Sequence, residues 1–301
     1  MARAADVDDA DAVGERESAA AVDDDRLTRK KCVLITGCSS GIGRATARAF
    51  LEEDWLVVAT SRDPEDVSEL AEAGCETLAL DVTDPETVTT AVEVTVELGG
   101  AIDCVVNNAG FARLGPLEDV STADLHRQFD VNVYGPHRLT RAVLPHMRAA
   151  GEGRIVNVSS VAGRVSVAGY GAYSGSKFAL EGMSDALRAE VEEFGIDVVL
   201  IEPGPVETNF FDRAGDELPR DRTPAYEKLY EIHEDVSLVS SDDSPLAVTP
   251  DAVAAAIVHA ATCPEPPARY PVGAFAQYGG YARFLPDRLR DTAYGLFRKF
   301  A

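Results

Sequence analysis

A doubly wound α/β fold, with a mainly parallel sheet covered by helices on both faces, is predicted by three features of this sequence. From Lys31 onward, short apolar runs rich in β-branched residues alternate with amphipathic stretches of helical length. The runs are continuously apolar, as strands buried on both faces require. A glycine-rich turn, TGCSSGIG at 36–43, joins the first run to the first helical stretch.

The elements follow in order. CVLITG (32–37) is a strand and GIGRATARAFLEED (41–54) a helix. LVVATS (56–61) is the second strand, and PEDVSELAEAG (64–74) is a helix with Pro64 in its first turn and Gly74 after its end. ETLALDV (76–82) leads to the helix DPETVTTAVEVTVELGG (84–100). IDCVVNNAG (102–110) is followed by a loop to about Val120 and one long helix through residues 125–150. The strand GRIVNVSS (153–160), a helix from about Tyr170 to Phe194 and the strand IDVVLIEPG (196–204) come next. TPDAVAAAIVHAA (249–261) is a capped helix with proline at its first position, and ARYPVG (268–273) a last strand.

No repeat or linker divides residues 30–301, which read as one domain. Residues 205–248, rich in Pro, Asp, Glu and Ser, break the rhythm and are expected to cover the carboxyl ends of the strands, where this architecture binds ligands. Residues 1–29 form an acidic tail unable to bury enough surface to fold alone. That tail has no apolar core of a secretory signal, and no run is long enough to span a membrane. The basic, amphipathic end at 281–301 is expected to pack over a substrate entrance or a subunit interface, with membrane-surface association as the second reading.

Fifty-one acids against 28 bases give a net charge of −23, which excludes nucleic acid as a partner. Aspartate is abundant and arginine outnumbers lysine. We read this as adaptation to a salt-rich cytosol, where screening removes most of the self-repulsion; the alternative is an acidic mesophilic enzyme. The five cysteines, at 32, 38, 75, 104 and 263, form no C-x-x-C pair or Cys/His cluster. The chain is therefore expected in a reducing cytoplasm, without structural zinc.

Two motifs carry chemistry. In the turn after the first strand, Gly37, Gly41 and Gly43 permit a tight bend and close backbone approach, with Ser39, Ser40 and Ile42 between them. The helix N-terminus behind it offers unpaired N–H groups to a pyrophosphate. In GYGAYSGSK (169–177), Tyr173 and Lys177 stand at i and i+4 on one helix face, whereas Tyr170 is followed at that spacing by Ser174. A neighbouring ammonium lowers a phenol from its ordinary value near ~10, making Tyr173 a competent acid or base. Tyr170 is expected to pack near the site without proton chemistry.

TGCSSGIG, NNAG (107–110), VNVSS (156–160), YSGSK (173–177) and PGPVET (203–208), in this order, resemble the short-chain dehydrogenase/reductase family in its compact single-domain form. The likeness covers about residues 30–211, and more loosely to 273. ATSRD (59–63), KFALEG (177–182) and IEPGPVET (201–208) are most similar to its hydroxysteroid and retinol dehydrogenase branch; Gly175 departs from the usual alanine. The resemblance implies a Rossmann-type fold that binds NAD(P) and interconverts a small alcohol and its ketone or aldehyde. It implies Ser160 as the hydroxyl that binds the substrate oxygen, with Ser159 a structural strand-end group. Lys177 also holds the nicotinamide ribose, and Asn132 supports a proton relay behind it. Asp81 and Val82 are placed at the adenine, and Asn107, Asn108, Ala109 and Gly110 along the adenosine. Pro203, Gly204, Val206 and Thr208 are placed at the nicotinamide, and a dimer or tetramer is implied.

Cofactor choice rests on VVATSRD (57–63). If the second strand ends at Ser61, then Ser61 and Arg62 face the ribose and favour the 2′-phosphate of NADP. Asp63, before Pro64, then caps the next helix; a strand two residues longer would bring it to the ribose and select NAD. Arg44 is a candidate second cation. Two rivals stay open: epimerisation through a transient ketone on the same fold, and a non-catalytic NADP-binding regulator. The intact Asn132, Ser160, Tyr173 and Lys177 argue against the latter.

The charge generates a first prediction. Activity and Tm rise together between dilute buffer and molar potassium chloride as repulsion is screened. A thermal melt series over salt checks it, and a flat series contradicts it.

Overall fold

A computed structural model describes residues 29–208, 210, 218, 219, 221–236 and 247–292. The expected tail up to residue 28, parts of the 205–248 insertion and the end at 293–301 lie outside the described residues.

Seven parallel strands pair in the order β3-β2-β1-β4-β5-β6-β7. They are β1 (Cys32–Ile35), β2 (Leu56–Ser61), β3 (Glu76–Ala79), β4 (Cys104–Asn107), β5 (Gly153–Val158), β6 (Ile196–Pro203) and β7 (Arg269–Val272). The chain runs outward from β1 to β3 and returns to the other side of β1 as β4. The carboxyl ends of β1 and β4 thus flank the switch point, where such sheets open a crevice.

Alternation along each strand divides the core. Val33, Ile35, Val57, Ala59, Val106, Val156 and Val199 face one layer; Cys32, Leu34, Val58, Val105, Ile155 and Val198 face the other. The first layer is covered by α1 (Gly41–Glu52) and by α8 (Pro250–Thr262), which Thr249 caps through the N–H of Ala252. The second is covered by α3 (Pro85–Gly99), capped by Asp84, together with α5 (Gly135–Ala150) and α6 (Gly171–Val191).

Two helices differ from expectation. PEDVSELAEAG divides into a 3-10 turn, Pro64–Val67, and a short α2, Ser68–Glu72. The long helix at 125–150 is also interrupted. Ser121 caps α4 (Thr122–Phe129), a π-helical turn spans Asp130–Tyr134, and α5 follows. Pro136 has no N–H to return to the carbonyl of Asn132. The wider turn, with Gly135 N–H bonded to Asp130 O, accommodates that loss.

Part of the insertion folds as a 3-10 turn, Pro224–Tyr226, and α7 (Glu227–Val236). It is moored to the loop after β4 by Asp119, whose carboxylate accepts from Thr223 N–H (3.1 Å), Thr223 Oγ1 (2.6 Å) and the Tyr230 hydroxyl (2.6 Å). Beyond β7, α9 (Ala274–Gly279) lies beside Gly204 through Phe275. Farther on, Tyr278, Tyr281, Phe284 and Leu289 are exposed to solvent.

The donors on Asp119 hold its carboxyl below the ordinary aspartate range. The mooring is therefore complete above the unfolded-state value near ~4 and is lost as pH falls through the lowered folded value. Asp119→Ala should release 221–236: hydrogen exchange there should quicken by about tenfold or more while the core strands keep their protection. Unchanged exchange in α7 would contradict the mooring.

Candidate active site

The glycine turn and the segment after β4 meet at the crevice. Gly37 takes φ +73°, and a Cβ on it would lie 2.9 Å from Ala109 Cα. A Cβ on Gly43 would lie 2.2 Å from the carbonyl oxygen of Gly37, so only glycine fits. Thr36 Oγ1 accepts from the N–H groups of Asn108 and Ala109, both at 3.0 Å. The Asn108 amide donates to the carbonyls of Thr36 (2.9 Å) and Gly37 (3.1 Å). Behind this lacing, Ser40 stands at the start of α1 without a side-chain capping bond, and no acid occupies the first turn. An uncapped helix N-terminus next to a cradle that a Cβ would fill suits the pyrophosphate of a dinucleotide. Among the flanking residues, Cys38 is buried, the Ser39 carbonyl accepts from Arg44, and Ile42 packs on the core.

β2 ends at Ser61, whose hydroxyl donates to the Asp63 carbonyl. Asp63 accepts from Glu65 N–H at 3.0 Å and caps the following turn. Arg62 is exposed, with no bonded partner among the described residues. Arg44, expected as a second cation, is already engaged: besides the Ser39 carbonyl it meets Asp66 O (3.1 Å) and Glu69 (3.5 Å).

Several side chains placed along the cofactor have other duties. Asn107 is buried and donates to Asn157 (2.8 Å), which donates to Ser184 (2.8 Å), so its amide braces the sheet instead of facing the adenosine. Asp81 Oδ1 accepts from both Thr83 N–H and Thr83 Oγ1, while Asp84 serves as the helix cap. Val82 lies in the core, and its carbonyl accepts from Arg138. Val206 lies in the opposite core layer and bridges to Val248. Val82 and Val206 thus have only main chain to offer. Gly110 abuts Asn132, Pro203 ends β6, and Gly204 N–H donates to Val272 O. Thr208 stands over Gly41, where an added Cβ would come within 3.0 Å of it.

Tyr173 and Lys177 lie in the first two turns of α6, and Ser160, two residues after β5, caps the 3-10 turn Val161–Gly163, its hydroxyl accepting from Ala162 N–H. Ser160 also hydrogen-bonds the Tyr173 phenol. The ammonium of Lys177 donates to Val158 O at 2.9 Å and lies 5.8 Å from the Tyr173 ring centroid. The phenol is not lowered here: burial pushes it up to about 12, against the opposing bond from Ser160. The lowering expected from Lys177 does not outweigh that burial: the ammonium gives one of its N–H groups to a main-chain carbonyl and is itself pushed down to about 8 by burial. Tyr170 is likewise raised to about 12 by burial. Asn132 Oδ1 accepts from Phe111 N–H (3.1 Å), and Nδ2 donates to Phe111 O (3.0 Å) and Ser176 Oγ (3.1 Å). These bonds brace the loop after β4. The Ser159 hydroxyl, expected as a structural group, is buried without a hydrogen-bond partner among the described residues.

An apolar wall surrounds Tyr173. Ala112, Leu114, Ala162, Tyr170, Phe210 and Leu218 pack with it, and the Phe210 ring centroid lies 5.8 Å from that of Tyr173. Leu114 and Phe210 carry no motif, and only the fold reveals them as neighbours. Gln128 was also unmarked: fully buried, it accepts from Arg113 N–H and donates to Phe111 O, each at 2.6 Å.

The family described as short chain dehydrogenase matches residues 31–218. An uncharacterized oxidoreductase, YbbO, of Escherichia coli K12 is 39% identical over 264 residues, 87% of this chain and 93% of the relative. An NADPH-dependent 3-dehydrocapnine reductase of Ornithobacterium rhinotracheale is 34% identical over 272 residues, 87% of this chain and 95% of the relative. The crystal structure of a short-chain dehydrogenase from Streptomyces avermitilis superposes with a TM-score of 0.77 at 34% identity, covering 90% of this chain and 98% of that one. The motif order, the parallel sheet with its crevice and these likenesses agree: the chain belongs to the short-chain dehydrogenase family and is an NAD(P)-dependent oxidoreductase acting on CH–OH groups.

Proposed function

We propose that this enzyme interconverts an apolar alcohol and its ketone or aldehyde, with NADP(H) as the dinucleotide and Tyr173 as the proton-transfer group. The observation that carries this reading is the phenol of Tyr173, bonded to Ser160 and enclosed by apolar side chains. The bound dinucleotide supplies or accepts the hydride at the substrate carbon. In reduction, Ser160 and Tyr173 hydrogen-bond the carbonyl oxygen, and Tyr173 gives it a proton. A phenol held up by burial is fully protonated at neutral pH and ready for that direction. Lys177 supplies the positive charge that stabilises the phenolate left behind. The wall of Ala112, Leu114, Phe210 and Leu218 favours a substrate whose carbonyl is borne on hydrocarbon.

NADP is favoured by β2 ending at Ser61, with Arg62 exposed beside it and Asp63 committed to its cap. The NADPH-dependent relative supports the same choice. The buried free thiols of Cys32, Cys38, Cys75 and Cys104 suit a reducing cytoplasm. Association into a dimer or tetramer belongs to the same reading.

Tyr173→Phe should lower kcat/KM by about a thousandfold or more and leave dinucleotide affinity within about twofold, because only the proton-transfer step is lost. Tyr170→Phe should stay within about tenfold of wild type. Steady-state kinetics with fluorescence titration of NADPH checks both, and the reverse order would exchange the two tyrosines. The ratio of kcat/KM for NADPH over NADH, at one fixed salt concentration, should exceed unity. Ser61→Asp with Arg62→Ala should bring it below unity; a wild-type preference for NADH would contradict the assignment.

A further inference from the structure

The helix face that carries Tyr173 and Lys177 continues with Glu181 and Asp185 at the same spacing. Glu181 is 5% exposed, and Glu202, the residue before Pro203 in β6, is 6% exposed. Two arginines serve both carboxyl groups. Arg269 of β7 places Nε 3.0 Å from Glu181 Oε2 and 3.1 Å from Glu202 Oε1, while its Nη2 holds Asp185 at 2.7 Å. Arg164, from the loop after Ser160, stands 3.8 Å from Glu181 and 3.6 Å from Glu202. Even so, Glu181 Oε1 and Glu202 Oε1 accept no hydrogen bond from any donor among the described residues. The two carboxyl groups are close enough to hydrogen-bond each other. Carboxylates are acceptors only, so such a bond requires a proton on one of them. Asp185 is also held by Arg188 at 2.9 Å, so the negative charge of the Glu181–Glu202 pair is shared by Arg164, Arg269 and the ammonium of Lys177, one helix turn from Glu181 and itself 5% exposed.

We infer that Glu181 and Glu202 form a proton-sharing carboxyl pair that acts as a positioning element for the reacting centre: Glu181 keeps Lys177 an ammonium in its buried place, and Glu202 sets how much of that negative charge Lys177 feels. The inference rests on the reading of Tyr173 and Lys177 given above. Burial pushes Lys177 down to about 8, and Glu181 opposes that shift. Burial, and then the charge of Glu181, push Glu202 up to about 7. The titratable and charged groups around the pair are Tyr173, Lys177, Asp185 and Arg188 from α6, Arg164 from the loop after β5 and Arg269 from β7.

The chain has five lysines, so 13Cε-lysine NMR resolves the titration of Lys177 without any need for turnover. In Glu181→Gln its midpoint should fall by roughly one pH unit, as expected for losing one charge a helix turn away in a partly screened interior. The alkaline limb of kcat/KM should move with it, and Glu181→Asp should restore most of the shift. Glu202→Gln should lower the midpoint by a smaller step, and it carries the test if Glu181→Gln does not fold. A Lys177 midpoint that stays at its wild-type value in the folded variants overturns the proposal. Failure of the underlying reading appears separately, as turnover retained in Tyr173→Phe, while the Lys177 titration is still read.

Discussion

The hydroxyl of Thr36 accepts the main-chain N–H groups of Asn108 and Ala109 and donates toward Val106 O. With the Asn108 amide on the Thr36 and Gly37 carbonyls, it binds together the two loops that leave the sheet at its switch point. These loops run in opposite directions away from neighbouring parallel strands, and nothing in a parallel ladder joins them. The lacing fixes the crevice floor. The glycines at 37 and 43 are required because that floor leaves no room for a Cβ. The site therefore depends first on a polar seam, and the apolar core holds the strands that present it.

The same division of labour recurs at the reacting centre. Asn132 and Gln128, four residues apart, both spend their amides on the backbone of 111–113. The π-helical turn at Asp130–Tyr134 lies between the two regular helices exactly where Asn132 reaches Ser176. Ser176 in turn donates to the carbonyl of Tyr173. A buried amide network thus ties the start of α6 to the loop after β4. Such a network is stable only when its members are satisfied, and here the Asn132 and Gln128 amides each bond through both their oxygen and their nitrogen.

Charge is handled differently inside and outside. On the surface, exposed pairs such as Lys30–Asp54 are worth little individually. The interior concentrates Glu181, Glu202, Arg164, Arg269 and Lys177 behind the proton-transfer site, drawing on α6, the loop after β5, β6 and β7. Removing one member leaves its partner buried and uncompensated, which gives these few residues more leverage than the many surface acids.

The sequence by itself determined the strand order of appearance, the parallel class, the glycine cradle and the helical spacing of Tyr173 and Lys177. Each is a local fact: a run of β-branched residues, a missing Cβ, a helical spacing of four. The tertiary structure decided what depends on residues far apart in the chain. Leu114 and Phe210 carry no motif, yet both reach Tyr173. Asn107 resembled a cofactor contact, but β5 runs beside β4 and offers Asn157 as its partner. Lys177 was expected to lower the phenol; its depth in the fold instead turned the ammonium to Val158 O and let burial dominate both groups. Glu181 and Glu202, 21 positions apart in sequence, meet because α6 returns antiparallel to β6 and sets the two carboxyl groups under the same arginines. Periodicity reports which face a side chain takes, and only packing reports what stands opposite it.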